Sequence, residues 1–198
     1  MKTTKILYFI IVAAVFAGCG SSTEEKETQR QEDTAINLDK LNEENLLAEV
    51  ERREDLLKGD EKGMENGRAR ALMDAYVAYA TRFDNYENSA EYLFKAGEIA
   101  MGINMTAESI KYLDKVYNKY PKFERRPYAL FLKAFVLENQ SNNLEEAERV
   151  YKQFIKEFPN HEMADDAKYS IDNMGKSPEE LIREFEIKDS IRKAQEAA

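Results

Sequence analysis

An aromatic residue recurs three times at the end of a predicted helix, at an almost constant spacing. The three sites are Phe83-Asp84, Tyr120-Pro121 and Phe158-Pro159, which lie 37 and 38 residues apart. A second helix-like segment follows each of the first two sites, and the apolar runs at 91–96 and 129–134 are similar to each other. A unit of this length cannot bury its apolar face alone and must stack on its neighbours. The spacing therefore predicts tandem helical hairpins.

The composition favours an all-α chain. Only four prolines and eight glycines interrupt 198 residues, and between them apolar residues recur at spacings of three and four, which is typical of amphipathic helices. Asn143 with Glu146, and Ser177 followed by Pro178, are plausible helix starts. The predicted helices are 38–57, 66–82, 89–103, 106–119, 127–140, 143–157, 161–174 and 178–195. The predicted fold class is all-α, with hairpins stacked as a short superhelix.

Small residues stand at regular places in these hairpins, where one helix would admit a large side chain of its partner. The pattern resembles the tetratricopeptide repeat. With Pro121 taken as the closing proline, the core positions of that family fall on Leu93, Gly97, Ala100, Ser109, Leu113 and Val116, and then on Phe131, Ala134, Ala147, Tyr151, Phe154 and Pro159. Phe135 and Glu138 depart from the pattern. The resemblance implies a repeat domain at 38–176 and a C-terminal capping helix at 177–198.

Stacked hairpins of this kind curve around a concave groove that is lined by the first helix of each pair. Projection of the helical register onto the groove selects six residues, which are Phe94, Glu98, Met101, Leu132, Val136 and Asn139. Such a surface would suit an extended peptide or a partner helix. The alternative is that the apolar members of this set belong to the core between repeats.

The N-terminus has the three parts of a secretory signal. Lys2 and Lys5 precede an apolar run over residues 6–17, and small residues follow it. The run has 12 residues, whereas crossing a bilayer takes roughly 20. The sequence Phe16-Ala17-Gly18-Cys19 resembles a bacterial lipobox, although Phe stands where Leu is commonest. The resemblance implies a signal peptide at 1–18 and an acylated N-terminal Cys19; an ordinary secretory signal is the alternative.

Residues 19–37 are mostly Ser, Thr, Glu, Gln and Lys, and we expect them to form a disordered tether from Cys19. Removal of residues 1–18 would change the net charge from −9 to −11, because two lysines and no acidic residue are lost. This charge argues against a nucleic-acid partner. Cys19 is the only cysteine, so no disulfide can form within the chain. Gly20, in place of the Asp that retains a lipoprotein at the inner membrane, favours the outer membrane. We expect the periplasmic face, with display at the cell surface as the alternative.

The sequence offers poor candidates for chemistry. His161 is the only histidine, and no zinc, redox or phosphate-binding motif is present. The adjacent carboxylates Asp165 and Asp166 would point about 100° apart on a helix, so they would not share a site. We therefore expect no enzyme activity, no cofactor, no metal site and no small-molecule substrate.

Long repeats with an aromatic-Pro boundary, as at 120–129 and 158–167, resemble those of the tetratricopeptide lipoprotein of the outer-membrane β-barrel assembly machinery. They also resemble the periplasmic repeat protein that coordinates envelope constriction. The resemblance covers roughly residues 68–175. It implies a non-enzymatic, membrane-anchored scaffold that binds envelope proteins. The alternative is an oligomeric periplasmic coordinator of cell-wall or division proteins, in which the helix at 38–57 pairs with another chain instead of packing on the next helix.

Overall fold

The computed structural model describes residues 36–58, 66–83 and 87–196. The predicted signal peptide, Cys19 and all but the last two residues of the predicted tether lie outside this part. The described residues form eight α-helices and no strand, and none of these helices is long and apolar enough to cross a membrane. The helices are α1 Glu43–Lys58, α2 Asn66–Arg82, α3 Glu87–Gly102, α4 Thr106–Lys119, α5 Arg126–Asn139, α6 Leu144–Glu157, α7 Ala164–Asn173 and α8 Pro178–Glu196.

Each helix from α1 to α6 packs on the next one along the chain, so that the packed series ends at α7. Within the α3/α4 and α5/α6 hairpins the links are only 103–105 and 140–143. Each link turns through one residue in the left-handed region, Asn104 at φ 59° and Asn142 at φ 50°, a conformation that Asn tolerates better than most residues. The prediction of stacked helical hairpins is confirmed.

A close approach in the core lies between α3 and α4. A Cβ atom placed on Gly97 would lie 2.8 Å from Cγ and Cδ2 of Leu113, and the Ser109 hydroxyl donates to the Gly97 carbonyl at 2.9 Å. The predicted core positions of both repeats are buried apart from Pro159, which is exposed. The core is therefore continuous through the hairpins.

Two predicted helices begin later than expected. Residues 38–40 form a short 3₁₀ turn capped by Asn37, Leu41 is extended, and Asn42 then accepts from the Asn45 backbone to start α1. In the other case His161 makes a turn before α7, because its Nδ1 accepts from the Met163 backbone N–H. In both places a local side-chain hydrogen bond satisfies backbone donors that would otherwise join a helix.

The first helix packs within its own chain. Leu46 and Val50 of α1 are buried, and α1 lies on α2. Arg53 is also buried, where it pairs with Glu49 at 2.6 Å and donates to the Ala71 carbonyl of α2. The apolar side of α1 is therefore occupied within the chain.

The last helix differs from the others, because none of the residues of α8 is buried. A reciprocal capping box starts it: Ser177 accepts from the Glu180 N–H, and Glu180 accepts from the Ser177 N–H. The predicted start is thus confirmed. Its role as a cap over the array stays a prediction, since α8 does not make the burying contacts of a packed cap.

Replacement of Gly97 should test the close approach of α3 and α4. Gly97→Ala forces Leu113 to move, and overpacking of this kind costs about 1–3 kcal/mol of unfolding free energy. Gly102→Ala is the matched control, because Gly102 is exposed at the end of the same helix. Urea denaturation should show the loss only for Gly97→Ala. Equal stability of the two variants would contradict the interlock.

The buried pair of Glu49 and Arg53 should make stability depend on acid. Burial alone would raise the pKa of Glu49, but hydrogen bonds from Arg52 and Arg53 hold it below its ordinary value of 4.5. The carboxylate therefore stabilises the fold above that pH, and the stabilisation is lost as pH falls through the lowered pKa. Glu49→Gln should cost about 3 kcal/mol near neutral pH, since it removes the negative charge that offsets the buried Arg53 guanidinium.

The measurement is urea unfolding of wild type and Glu49→Gln between pH 7 and pH 3. The difference in unfolding free energy should shrink on the acid side of pH 4.5. Asp55→Asn is the control, because the Asp55–Lys58 pair is exposed and should contribute little. A pH-independent difference for Glu49→Gln would contradict the assignment.

Candidate protein-binding face

The six residues predicted to line a groove do not share one surface. Glu98, Met101 and Leu132 are half-buried and Asn139 is exposed, so these four are accessible. Phe94 and Val136 are only 1% and 0% exposed. The predicted groove positions of Phe94 and Val136 are therefore wrong, and both residues belong to the core.

The error has a simple geometric cause. The repeat spacing of 37 residues makes Phe94 equivalent to Phe131 and Glu98 equivalent to Phe135, whereas the prediction joined Glu98 with Val136. Successive residues of a helix point about 100° apart, so an error of one residue turns a side chain from solvent into the core. Phe135, 39% exposed, holds the position assigned to Val136.

One surface runs across the first helices of successive hairpins, and we call it the first-helix face. Its residues are Glu91, Lys95 and Glu98 of α3, Arg125 just before α5, and Tyr128, Leu132, Phe135 and Asn139 of α5. Four side-chain contacts connect this face within itself and to the neighbouring α1 and α7. Glu54 of α1 pairs with Lys95 at 3.0 Å, Arg125 pairs with both Glu91 and Glu98, and the Tyr128 hydroxyl donates to Glu162 just before α7.

Arg125 organises the middle of this face. Its guanidinium lies 3.1 Å from Glu91 and from Glu98, and 3.8 Å from the centre of the Phe94 ring, which it covers. Burial raises the pKa of Glu98 above its ordinary value, although Arg125 acts in the opposite direction. Arg125 therefore connects two hairpins and partly neutralises the acidic side of the face.

A cavity of about 520 Å³ opens beside Lys95, between α1, α2 and α3. Leu57, Leu72 and Ile99 give it apolar walls. At its edge Glu54 accepts hydrogen bonds from Tyr76 and Lys95. Burial alone would raise the pKa of Glu54, but these hydrogen bonds lower it. The carboxylate is therefore kept charged, and the cavity combines apolar walls with one fixed ion pair.

The remaining polar residues considered from the sequence, His161 and Asp165, make contacts that stabilise the fold. His161 packs edge-on against the rings of Tyr128 and Phe154, with centroids 4.7 and 5.5 Å away. Asp165 pairs with Lys168, one turn along its own helix. Among the described residues, no group of three or more His, Cys, Asp and Glu side chains is arranged to hold a metal ion.

Comparison with known proteins agrees with the fold. A family model described as tetratricopeptide repeat matches residues 91–122 and 128–161. The first match covers most of α3 and all of α4, and the second covers most of α5 and all of α6. A search of curated proteins found none that matches this chain. The two hairpins are thus similar to tetratricopeptide repeats, which generally act as protein-binding scaffolds rather than catalysts.

Sequence reasoning missed five members of the face, which are Glu91, Lys95, Arg125, Tyr128 and Phe135. A signal for Phe135 was present, since it is a large aromatic residue where the repeat pattern expects a small one. No comparable signal marks Arg125, which precedes its helix and acts by reaching back to α3. Its role depends on the distance between two hairpins, which only the folded structure supplies.

Substitution of two phenylalanines on α5 should distinguish a core position from a position on the first-helix face. Phe131 is 6% exposed and packs on α6, whereas Phe135 is 39% exposed. Phe131→Ala should cost about 3–5 kcal/mol of unfolding free energy. Phe135→Ala should cost at least about 2 kcal/mol less, because part of its ring already contacts water. Urea unfolding of both variants measures the difference, and equal costs would place Phe135 in the core.

Proposed function

We propose that this protein is a membrane-anchored scaffold of the bacterial envelope, and that its first-helix face binds a segment of another envelope protein. The observation that carries the proposal is an accessible apolar centre, formed by Leu132 and Phe135, with charged groups beside it. An apolar centre surrounded by polar groups is the usual anatomy of a protein interface. Its position on hairpins similar to tetratricopeptide repeats supports a polypeptide as the ligand.

The charges on the face favour a ligand of mixed character. Arg125 and Lys95 each lie beside carboxylates, and these pairs are half-buried but accessible to water. A bound segment could exchange its own charged groups with them at modest cost. Leu132 and Phe135 lie nearly one turn apart on α5, which suits apolar side chains spaced along a partner helix or an extended strand. The proposed ligand is therefore an amphipathic segment with apolar anchors.

The anchor in this proposal is the lipid on Cys19. Its support is the lipobox-like Phe16-Ala17-Gly18-Cys19 after a short apolar run. Two or more acyl chains anchor a protein stably, at about 0.8 kcal/mol for each buried CH₂ group. Confinement to a membrane raises the effective concentration of neighbouring proteins. A face of moderate affinity would then be sufficient.

Gly20 after the cysteine supports the outer membrane, and we propose the periplasmic side. A partner in outer-membrane protein assembly agrees with the aromatic-Pro repeat boundaries at 120–129 and 158–167. The coordinator of cell-wall or division proteins required a free α1 for self-association. Because Leu46 and Val50 of α1 are buried against its own chain, that alternative has lost its structural basis in α1.

Photocrosslinking in living cells tests this function. A photoreactive residue at Phe135 or Leu132 should capture a discrete envelope protein. The same residue at Asn118, which is exposed on the second helix α4, is the control and should not capture it. Cys19→Ser should abolish labelling by a fatty-acid analogue, and it should weaken the crosslinks at Phe135 because confinement is lost.

The two parts of the proposal fail separately. Equal capture from Asn118 and Phe135 would rule out the first-helix face as the binding site. Retained fatty-acid label in Cys19→Ser would rule out the anchor. Capture from Phe135 in a chain that carries no lipid would leave a binding scaffold without a membrane anchor.

A further inference from the structure

The hairpin of α7 and α8 is open. Its first helix, α7, exposes a residue whose equivalent in the α5/α6 hairpin is covered. The spacing of 38 residues makes Tyr169 of α7 equivalent to Phe131 of α5. Phe131 packs on Tyr151 and Phe154 of its own second helix, with centroids 5.5 and 5.6 Å away. Tyr169 is 65% exposed. A second helix is therefore missing from the site where the repeat expects one.

An aromatic residue of α8 matches a core position of that missing helix. The α6 helix follows Asn143, which caps the Glu146 N–H, and α8 follows Ser177, which caps the Glu180 N–H. Counted from these caps, Phe185 is equivalent to Tyr151. The packed pair Phe131–Tyr151 thus has a counterpart in Tyr169 and Phe185. In the structure Phe185 is 72% exposed, and the counterpart pair is unmade.

Two further apolar residues of α8, on another side of the helix from Phe185, also have equivalents in α6. In α6, Gln153 and Glu157 make hydrogen bonds to the hydroxyl of Tyr117 on the preceding second helix, α4. The same count from the caps makes Ile187 and Ile191 their equivalents, and the repeat spacing makes Ile155 of α6 the equivalent of Tyr117.

In the contact between α4 and α6, the three polar residues are Tyr117, Gln153 and Glu157. Their equivalents in the next hairpin are three isoleucines. This substitution is complementary, because all three members change from polar to apolar together. Ile187 and Ile191 are exposed, and Ile155 is half-buried. The two stripes of α8 therefore fit two neighbouring surfaces of the array, Tyr169 on α7 and Ile155 on α6.

Two charged residues of α8 stand at positions that are buried in α6. Glu184 is equivalent to Val150, and Lys188 is equivalent to Phe154, which packs on His161. In the covered site Lys188 lays its carbon chain along Tyr169 and keeps its amine in water. Glu184 keeps its ion pair with Lys176.

The chain's own α8 does not cover this site, because Tyr169 and Phe185 both stay exposed. Lys176 donates from its backbone to the Asn173 carbonyl and pairs through Nζ with Glu184 at 2.9 Å, and the capping box fixes the start of the helix. We propose that two copies of this chain exchange α8, so that each α8 covers Tyr169 and Ile155 of the other copy. The link keeps its open form, and the contacts of a closed hairpin form between chains in a two-fold symmetric dimer.

The oligomeric state of the full chain tests the exchange, with Cys19→Ser as the background for every sample. Light scattering should give a dimer. Phe185→Ser or Ile191→Ser should weaken it at least about 100-fold, because each change removes a buried apolar side chain twice in a symmetric interface. These residues are exposed in the single chain, so the variants should still fold.

Ile182→Ser is the matched control. Ile182 is 60% exposed on the same helix, but it is equivalent to Glu148, whose side chain faces solvent and pairs with Lys152. The dimer should therefore persist in this variant. Equal weakening by Ile182→Ser would overturn the register on which the exchange rests.

Introduced cysteines distinguish exchange from closure within one chain. A mixture of Tyr169→Cys and Phe185→Cys chains should form a disulfide between copies under mild oxidation. The double variant should likewise form mainly dimers with interchain bridges. A monomeric wild-type chain, or a double variant bridged only within single chains, would overturn the exchange and show that α8 closes on its own hairpin. The exchange does not depend on the proposed envelope partner.

Discussion

The fold depends on how closely the two helices of a hairpin can approach. At Gly97 the absence of a side chain lets Leu113 fill the space of a Cβ atom, and the Ser109 hydroxyl satisfies the Gly97 carbonyl at the same point. Ala134 and Ala147 hold corresponding buried positions in the next hairpin. Close approach maximises dispersion contacts between helices. It also commits the inner faces to packing, so that partners can be recognised only by the outer faces.

The outer face that remains has charges whose value lies in recognition more than in stability. Ion pairs that are accessible to water, such as those of Arg125 with Glu91 and Glu98, contribute little to folding. They do connect α3 with the start of α5 and fix where charge lies beside Leu132 and Phe135. A partner that offers apolar anchors would meet a surface already ordered by these pairs. Order before binding reduces the entropic cost of association.

The sequence predicted much of the fold because its signals are local. Aromatic residues at helix ends, small residues at close contacts and the caps at Asn143 and Ser177 each act within a few residues. The binding face was predicted less well, since its assignment needs the rotation of each helix to within one residue. Val136 is an example, because a shift of one residue placed it on the face although it lies in the core. Arg125 was missed because it acts between hairpins, where distance along the chain carries no information.

The two ends of the array differ in a way that concerns any stack of repeats. Each repeat buries its neighbour, so the terminal repeats must end in a surface that water accepts. At the N-terminal end, α1 buries Leu46 and Val50 and includes the Glu49–Arg53 pair beside α2. At the C-terminal end of the described residues, α8 carries Phe185 on one side and Ile187 and Ile191 on the other, so that packing on a single surface cannot hide all three. A polar terminal helix would end the array in water. The apolar α8 continues the packing pattern, and a surface of that kind stays incomplete until another helix covers it.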